Sequence, residues 1–468
     1  MAKQGTHDGR IVYRMKPVSL CIVLLWLVAP SLLFAQQKNR TVVVISLDGF
    51  PADALNDPRL PIPTLRQVMA EGTVAGSMRP VNPTVTWPNH TAMVTGVNAA
   101  KHQVLFNGKA VRATDGSRKI EPWLPKDQMV HSPTVYDIAF DAGLITAQVD
   151  WVAIFGAKTI HWQFPENPDP QGPIERELMA AGIVTEEQLK KFDEGASSAW
   201  QDQIWSEAAV DILKKHSPNL LLVHLLTLDN TNHEYGPASN ASYTAMALLD
   251  NHVKQILEAI KESGRLSQTT VFIVSDHGFR TVHNVIHPNV FLAKQGLAKN
   301  SSGEGLNAVS AMPAGGMALI YINDRDHKNE RLPRLRDLFG KLEGVDRVFG
   351  EDEFAALGIP QASECDQGPD LVLAAKQDYQ FENGLGDEVI THVPGRGTHG
   401  FLNSDPAMQA IFIAWGAGIK KGSRIAFINN IDVAPTVANL LDLQMKTAQG
   451  RVLHEILEGK PPSPITQP

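Results

Sequence analysis

The sequence predicts an α/β fold, with a doubly wound, mostly parallel sheet flanked by helices and a smaller inserted cap subdomain. Three observations carry that expectation. Apolar runs rich in β-branched residues and too short for helices alternate with helix-forming stretches. Three of those runs lead into an aspartate, at Asp48, Asp229 and Asp276. The alternation loosens between Asn289 and Ile390 and resumes afterwards, which marks the insertion at about 289–390.

In chain order, Thr41–Leu47 (TVVVISL) reads as a strand buried on both faces, and Asp48 follows it. Thr64–Glu71 is helix-like. Pro88 has no N–H to lose and a φ preset for helix, so it is placed as the first residue of a helix running through Asn89–Thr95, with Thr86 just outside the N-terminus. A loop carries Asn107-Gly108, and Leu144–Val149 is a shorter strand. Thr185–Lys215 is rich in helix formers and ends near the breakers Ser217-Pro218-Asn219. Leu220–Leu228 (LLLVHLLTL) is a second buried strand, Ala241–Ser263 a long amphipathic helix, and Thr269–Ser275 a third buried strand that runs into Asp276-His277. Within the insertion, Met317–Ile322 and Leu371–Ala375 read as strands and Leu332–Leu342 as a helix. Met408–Trp415 resumes the main sheet, and Asp432–Leu441 closes it as a helix capped by Asn430 or Asp432. The carboxyl ends of parallel strands lie along one edge, where ligands bind. The three aspartates are therefore expected to converge.

The chain has 468 residues, 43% hydrophobic and 20% charged, enough for one large domain or two unequal ones. A net charge of −8 argues against binding nucleic-acid polymers through a broad basic face, while leaving a single nucleotide in a pocket open. Arg10, Arg14 and Lys16 precede the apolar run Val18–Ala29, and SLLFA then ends at Ala35. Residues 1–35 thus read as a secretory signal peptide, with a retained N-terminal membrane anchor as the alternative. The expected mature chain, 36–468, is exported to a periplasm or the exterior. It keeps Cys365 alone and so has no intramolecular disulfide.

The chemistry concentrates in a few residues. Asp229 and His233 are four apart, so on a helical turn they point the same way and can share a cation. Asp276-His277 in SDHGF and His399 in GTHGF sit among small residues that allow sharp turns. With Asp48, these make six hard or borderline ligands without a cysteine, a set that suits two Zn2+ ions better than magnesium. Taken alone, the Thr86 segment reads as a surface helix with an incidental threonine. Beside a metal, its hydroxyl could ionise near neutral pH and become a nucleophile.

Together ISLDGF, PTVTWPNHTAMVTG, the segment from Asp229 to Pro237, SDHGF, GTHGF and IDVAPTVANLL resemble the nucleotide pyrophosphatase/phosphodiesterase family of the alkaline-phosphatase superfamily, from Thr41 to near Leu453. The resemblance implies one zinc on Asp229, His233 and His399, and a second on Asp48, Thr86, Asp276 and His277. It also implies that Asn107, with a backbone N–H near the nucleophile, holds a non-bridging phosphate oxygen. The expected activity is hydrolysis of phosphodiester or pyrophosphate bonds in small-molecule substrates through a phospho-threonine. Phosphomonoesterase, phosphonate hydrolase and catalytically dead binding module are the alternatives. A monoesterase would place Lys and Arg against the extra charge, yet Val149–Val152 offers none before Lys158. Three positions depart from the family pattern: Gln103 and Asn232 replace glycines, and Trp87 replaces a phenylalanine. Trp162 and Phe164 are further aromatics that could stack on a base or pack.

Overall fold

The computed structural model describes residues 40–459 apart from 115, 300–302 and 385, and the expected signal segment lies outside them. The main sheet takes its strands from β1 (Thr41–Leu47), β2 (Thr73–Ala75), β3 (Thr146–Val149), β4 (Trp162–Phe164), β5 (Leu220–Leu225), β6 (Thr269–Val274), β7 (Phe412–Gly416) and β8 (Ser423–Ile425), in the order β8-β2-β7-β6-β1-β5-β3-β4. The five strands β6, β1, β5, β3 and β4 are mutually parallel. Strand β7 runs antiparallel to β6 on one side and to β2 on the other.

The central strand explains its own composition. Val43, Ile45 and Leu47 face a core shared with α3 (Ser198–Lys215) and α5 (Asn240–Glu262). Val42 and Val44 face another core that includes α6 (Val433–Leu440). Both faces are covered, so no polar alternation survives in the strand.

Several boundaries differ from the expectation, each for a local reason. The stretch 185–215 is two helices, Glu186–Lys190 and α3, with Gly195 at φ +72° between them and the Ser197 hydroxyl capping the second. Strand β5 stops at Leu225 because the buried Asp202 carboxylate takes the N–H groups of Leu226 (2.7 Å) and Thr227 (3.0 Å). The chain then turns into α4 (Thr227–Tyr235), so Asp229 lies in a first helical turn rather than at a strand end. The helix α2 (Thr86–Thr95) begins two residues before Pro88, which sits in a first turn whose N–H groups lack helical partners anyway.

A second, antiparallel sheet pairs Val309–Ala314 with Met317–Ile322, that strand with Leu371–Ala375, and that in turn with Val345–Phe349. One face packs on Pro288–Lys294 and Lys328–Gly340. The other packs on Leu105, Phe106 and Ala110, the residues around Asn107. Between the two sheets, Arg280–Ile286 pairs antiparallel with Ile390–Thr398 and so ties the residues after β6 to those before His399.

Candidate active site

The predicted ligands come together at the carboxyl edge of the main sheet. Asp48 follows β1, Asp229 and His233 lie one turn apart on α4, Asp276 and His277 follow β6, and His399 follows the strand paired with Arg280–Ile286. His233 Nε2 is 3.5 Å from Asp229 Oδ2, and His399 Nε2 is 3.9 Å from Asp229 Oδ1. His277 Nε2 lies 3.2 Å from Asp276 Oδ2 and 3.5 Å from Asp48 Oδ1, and the His277 and His399 rings stack at 3.8 Å. Two overlapping groups could each hold a metal ion: Asp229 with His233 and His399, and Asp48 with Asp229 and His277. The first is the expected set. In the second, Asp229 stands where Asp276 was expected, and Asp276 borders it through His277.

The backbone sets the direction of all three imidazoles. Nδ1 lies 3.2 Å from the Gly397 carbonyl in His233, 3.2 Å from that of Gly278 in His277, and 3.0 Å from that of Thr84 in His399. A carbonyl can only accept, so Nδ1 carries the proton and Nε2 keeps its lone pair for the cluster. Four buried atoms facing that space have no hydrogen-bond partner: Asp48 Oδ1, Asp229 Oδ1, Asp276 Oδ2 and His277 Nε2. Orphaned acceptors of this kind are costly in a protein interior and are the donor set that divalent cations take. The charges agree with this. Burial, then the neighbouring Asp276 and Asp229, hold the Asp48 pKa well above the usual carboxylate range. Burial, with Asp276 nearby, raises Asp229 to about 6. Burial lowers His277 to about 3 and keeps His399 well below its usual value, so both rings are neutral.

Thr86 is buried at the start of α2, and its carbonyl lies 2.9 Å from Nδ1 of His90, whose ring approaches Asp276 Oδ2 at 3.7 Å. The Trp87 N–H donates to Asn107 Oδ1 at 3.0 Å. That bond fixes Asn107 beside the start of α2 and leaves its Nδ2 hydrogens unused by Trp87. Trp87 itself packs in a small cluster with Val104 and Met129, edge-on to Trp123, which in turn meets Phe155. Trp162 and Phe164 pack instead, the first stacked on His216 and the second in the core. Gln103 occupies a left-handed position at φ +64°, a conformation that glycine adopts more readily. Asn232 is fully buried with its amide 3.4 Å from the Gly49 carbonyl.

Sequence reasoning passed over two residues here. His224, inside β5, bonds Asp48 Oδ2 through Nε2 at 2.9 Å and Asp150 Oδ2 through Nδ1 at 2.9 Å. Burial opposes its charged form, but Asp150 and Asp48 outweigh burial and hold its pKa well above the ordinary value. The available signal was a lone histidine in a strand buried on both faces, where a polar ring must find partners.

Carboxylates and imidazoles gathered at the edge of such a sheet, beside a helix that begins with threonine, belong to the alkaline-phosphatase-like class of α/β fold. Within that class, the chain belongs to the type I phosphodiesterase/nucleotide pyrophosphatase family, whose model matches residues 42–402. It is 24% identical over 414 residues to human ectonucleotide pyrophosphatase/phosphodiesterase family member 1, covering 87% of this chain and 40% of that one. Venom phosphodiesterase 2 of Crotalus adamanteus is 21% identical over 426 residues, 87% and 46% of the two chains. This chain thus spans less than half the length of either relative. The solved structure of inactive murine ectonucleotide pyrophosphatase/phosphodiesterase 5, a Thr-to-Ala variant in complex with AMP, superposes with a TM-score of 0.68 at 18% identity, covering 89% of this chain and 100% of that one.

Proposed function

We propose that this protein is an exported phosphodiesterase or nucleotide pyrophosphatase that uses two zinc ions and a covalent phospho-threonine at Thr86. The observation that carries the reading is the set of four orphaned, buried ligand atoms facing one another beside α2. Asp229, His233 and His399 would hold one ion, and Asp48, Asp276 and His277 the other, next to Thr86. Zinc bound there lowers the pKa of a nearby hydroxyl and offsets the charge of phosphoryl oxygens.

The chain's own groups supply the rest. Thr86 Oγ1 attacks phosphorus in line, the P–O bond to the alcohol or nucleotide breaks, and the phosphoryl ester stays on Thr86 until water cleaves it. The Asn107 amide hydrogens face the charge that grows on a non-bridging oxygen. The carbonyls of Gly397, Gly278 and Thr84 keep the imidazole tautomers fixed throughout. Trp123 and Phe155 are 40% and 52% exposed and continue the aromatic surface from Trp87, which suits a flat ring such as a nucleobase. The AMP held by the murine relative fits that choice. A cavity of about 530 Å³ opens between His233 and His399 and residues of the second sheet and its neighbours, including Pro313, Phe381 and Arg396. That volume is within the usual range for small-ligand pockets, and the leaving group would occupy it under the second sheet acting as a cap. Among the described residues no helix is long and apolar enough to cross a membrane.

The deciding assay compares bis-p-nitrophenyl phosphate with p-nitrophenyl phosphate on the zinc-loaded protein. Faster turnover of the diester is expected. Faster turnover of the monoester would overturn the diesterase assignment. Asp150, in the region where a monoesterase would carry basic residues, instead faces His224.

A further inference from the structure

We infer that His224 is a positioning residue for the metal centre, holding Asp48 in the one orientation that keeps a single carboxylate oxygen free for the cation. The inference rests on the metal-centre reading above. Asp48 has two oxygens with different surroundings. Oδ2 is 2.9 Å from His224 Nε2, while Oδ1 has no hydrogen-bond partner and lies 3.5 Å from His277 Nε2. Without His224, rotation about the carboxylate bond would make the two oxygens equivalent, and neither would be committed to the cluster. Ligating carboxylates are commonly fixed by such outer partners, and losing one weakens metal binding markedly.

His224 is itself held from behind. Its Nδ1 lies 2.9 Å from Asp150 Oδ2 and 3.1 Å from the Asp150 carbonyl, so the ring is clamped at both ends. The side chains of His224, Asp48 and Asp150 are 3%, 0% and 1% exposed, which leaves little room for any of them to relax. The backbone of Asp150 is unusual in the same sense. It adopts φ +54°, a left-handed conformation that non-glycine residues reach only when the surroundings impose it. Its N–H donates to the Phe164 carbonyl at 2.9 Å, which pins the turn after β3 and directs the carboxylate at His224. The ring of His90 meets His224 edge-on at 4.5 Å and closes the remaining side. The line Asp150–His224–Asp48 therefore runs from the turn after β3, through β5, to the end of β1, three neighbouring strand ends in the sheet.

The test titrates zinc into metal-free wild-type protein, His224→Leu and His224→Gln, against a chromophoric chelator, with circular dichroism of each metal-free form as the folding control. Wild type should take two ions. His224→Leu should take one as wild type does and the other about 10- to 100-fold more weakly. His224→Gln, which keeps a donor, should recover part of that loss, and excess zinc should restore turnover in both variants, as it would not for a merely structural defect. A folded His224→Leu that binds both ions with wild-type affinity would overturn the inference. Wild-type protein that takes no zinc would instead overturn the metal-centre reading beneath it. Should His224→Leu not fold, Asp150→Asn keeps the shape of the clamp and weakens its hold. It should then show a smaller loss at the same site, and unchanged affinity there would overturn the inference as well.

Discussion

Among the described residues two clusters offer histidine and carboxylate ligands at metal-binding spacing, and they differ in what sits between them. At the surface end of α3, Glu177, Asp211 and His216 have ligand atoms within 4.8 Å of one another, as the active-site groups do. There Lys215 lies 2.5 Å from Asp211 Oδ1 and 3.0 Å from Glu177 Oε2, and Trp162 stacks on His216 at 3.7 Å. A built-in ammonium already occupies the place a cation would take. At the carboxyl edge of the sheet no lysine or arginine pairs with Asp48, Asp229 or Asp276 among the described ion pairs, and inward-facing atoms are left without partners. Ligand types and spacing are shared, so a lysine ammonium set among the ligand atoms is what separates a neutralised patch from a candidate site.

The largest expected effect breaks the comparison at its chemical end. Thr86→Ala should lower diester turnover by at least about a thousandfold while zinc content by elemental analysis stays near wild type. Unchanged turnover would remove Thr86 as nucleophile. Next, Asp229→Asn should cost one of the two proposed zinc ions, because Asp229 is the only carboxylate in the group with His233 and His399, whereas Glu177→Gln should leave zinc stoichiometry and turnover unaltered. A zinc lost from Glu177→Gln would erase the distinction between the two clusters. The converse experiment is Lys215→Ala, which frees the surface ligands and should create a weak additional zinc site detectable by isothermal titration. Absence of added binding would mean that the missing lysine is not what decides.

The smallest effect is on stability. In the metal-free protein the Asp229 pKa is raised from 3.8 to about 6, so the folded state binds this proton more tightly than the unfolded state. Its favourable contribution is complete below about 4 and is lost as pH rises through 6. Zinc bound as proposed would compensate the ionised carboxylates instead, and its binding would strengthen as they deprotonate. The zinc-induced rise in Tm should therefore be larger at pH 8 than at pH 5 by differential scanning calorimetry. An equal or smaller rise at pH 8 would contradict the electrostatic account of the cluster.

Much of this was legible in the sequence for identifiable reasons. Asp48 and Asp276 follow apolar runs that can only be buried strands, and the parallel connection then forces their ends together. His233 was legible through its helical spacing from Asp229, although the turn that begins that helix depends on Asp202, a contact 24 residues distant that no local pattern announces. The two helices in 185–215 were hidden because only Gly195 interrupts an otherwise helical composition. The pairing of His224 with Asp150 was hidden for a stronger reason. Their relation is lateral across neighbouring strands, 74 residues apart, and only the sheet order makes them neighbours.

That sheet order also bears on when the protein can work. Strand β7 comes from residues 412–416 yet lies between β2 and β6, and His399 is fixed by the carbonyl of Thr84, 315 residues earlier. An emerging chain that has completed β1 and β6 still presents an open strand edge and an unfinished ligand set. On the proposed metal-centre reading, capture of an ion would wait until nearly the whole polypeptide has been delivered, a built-in order of assembly.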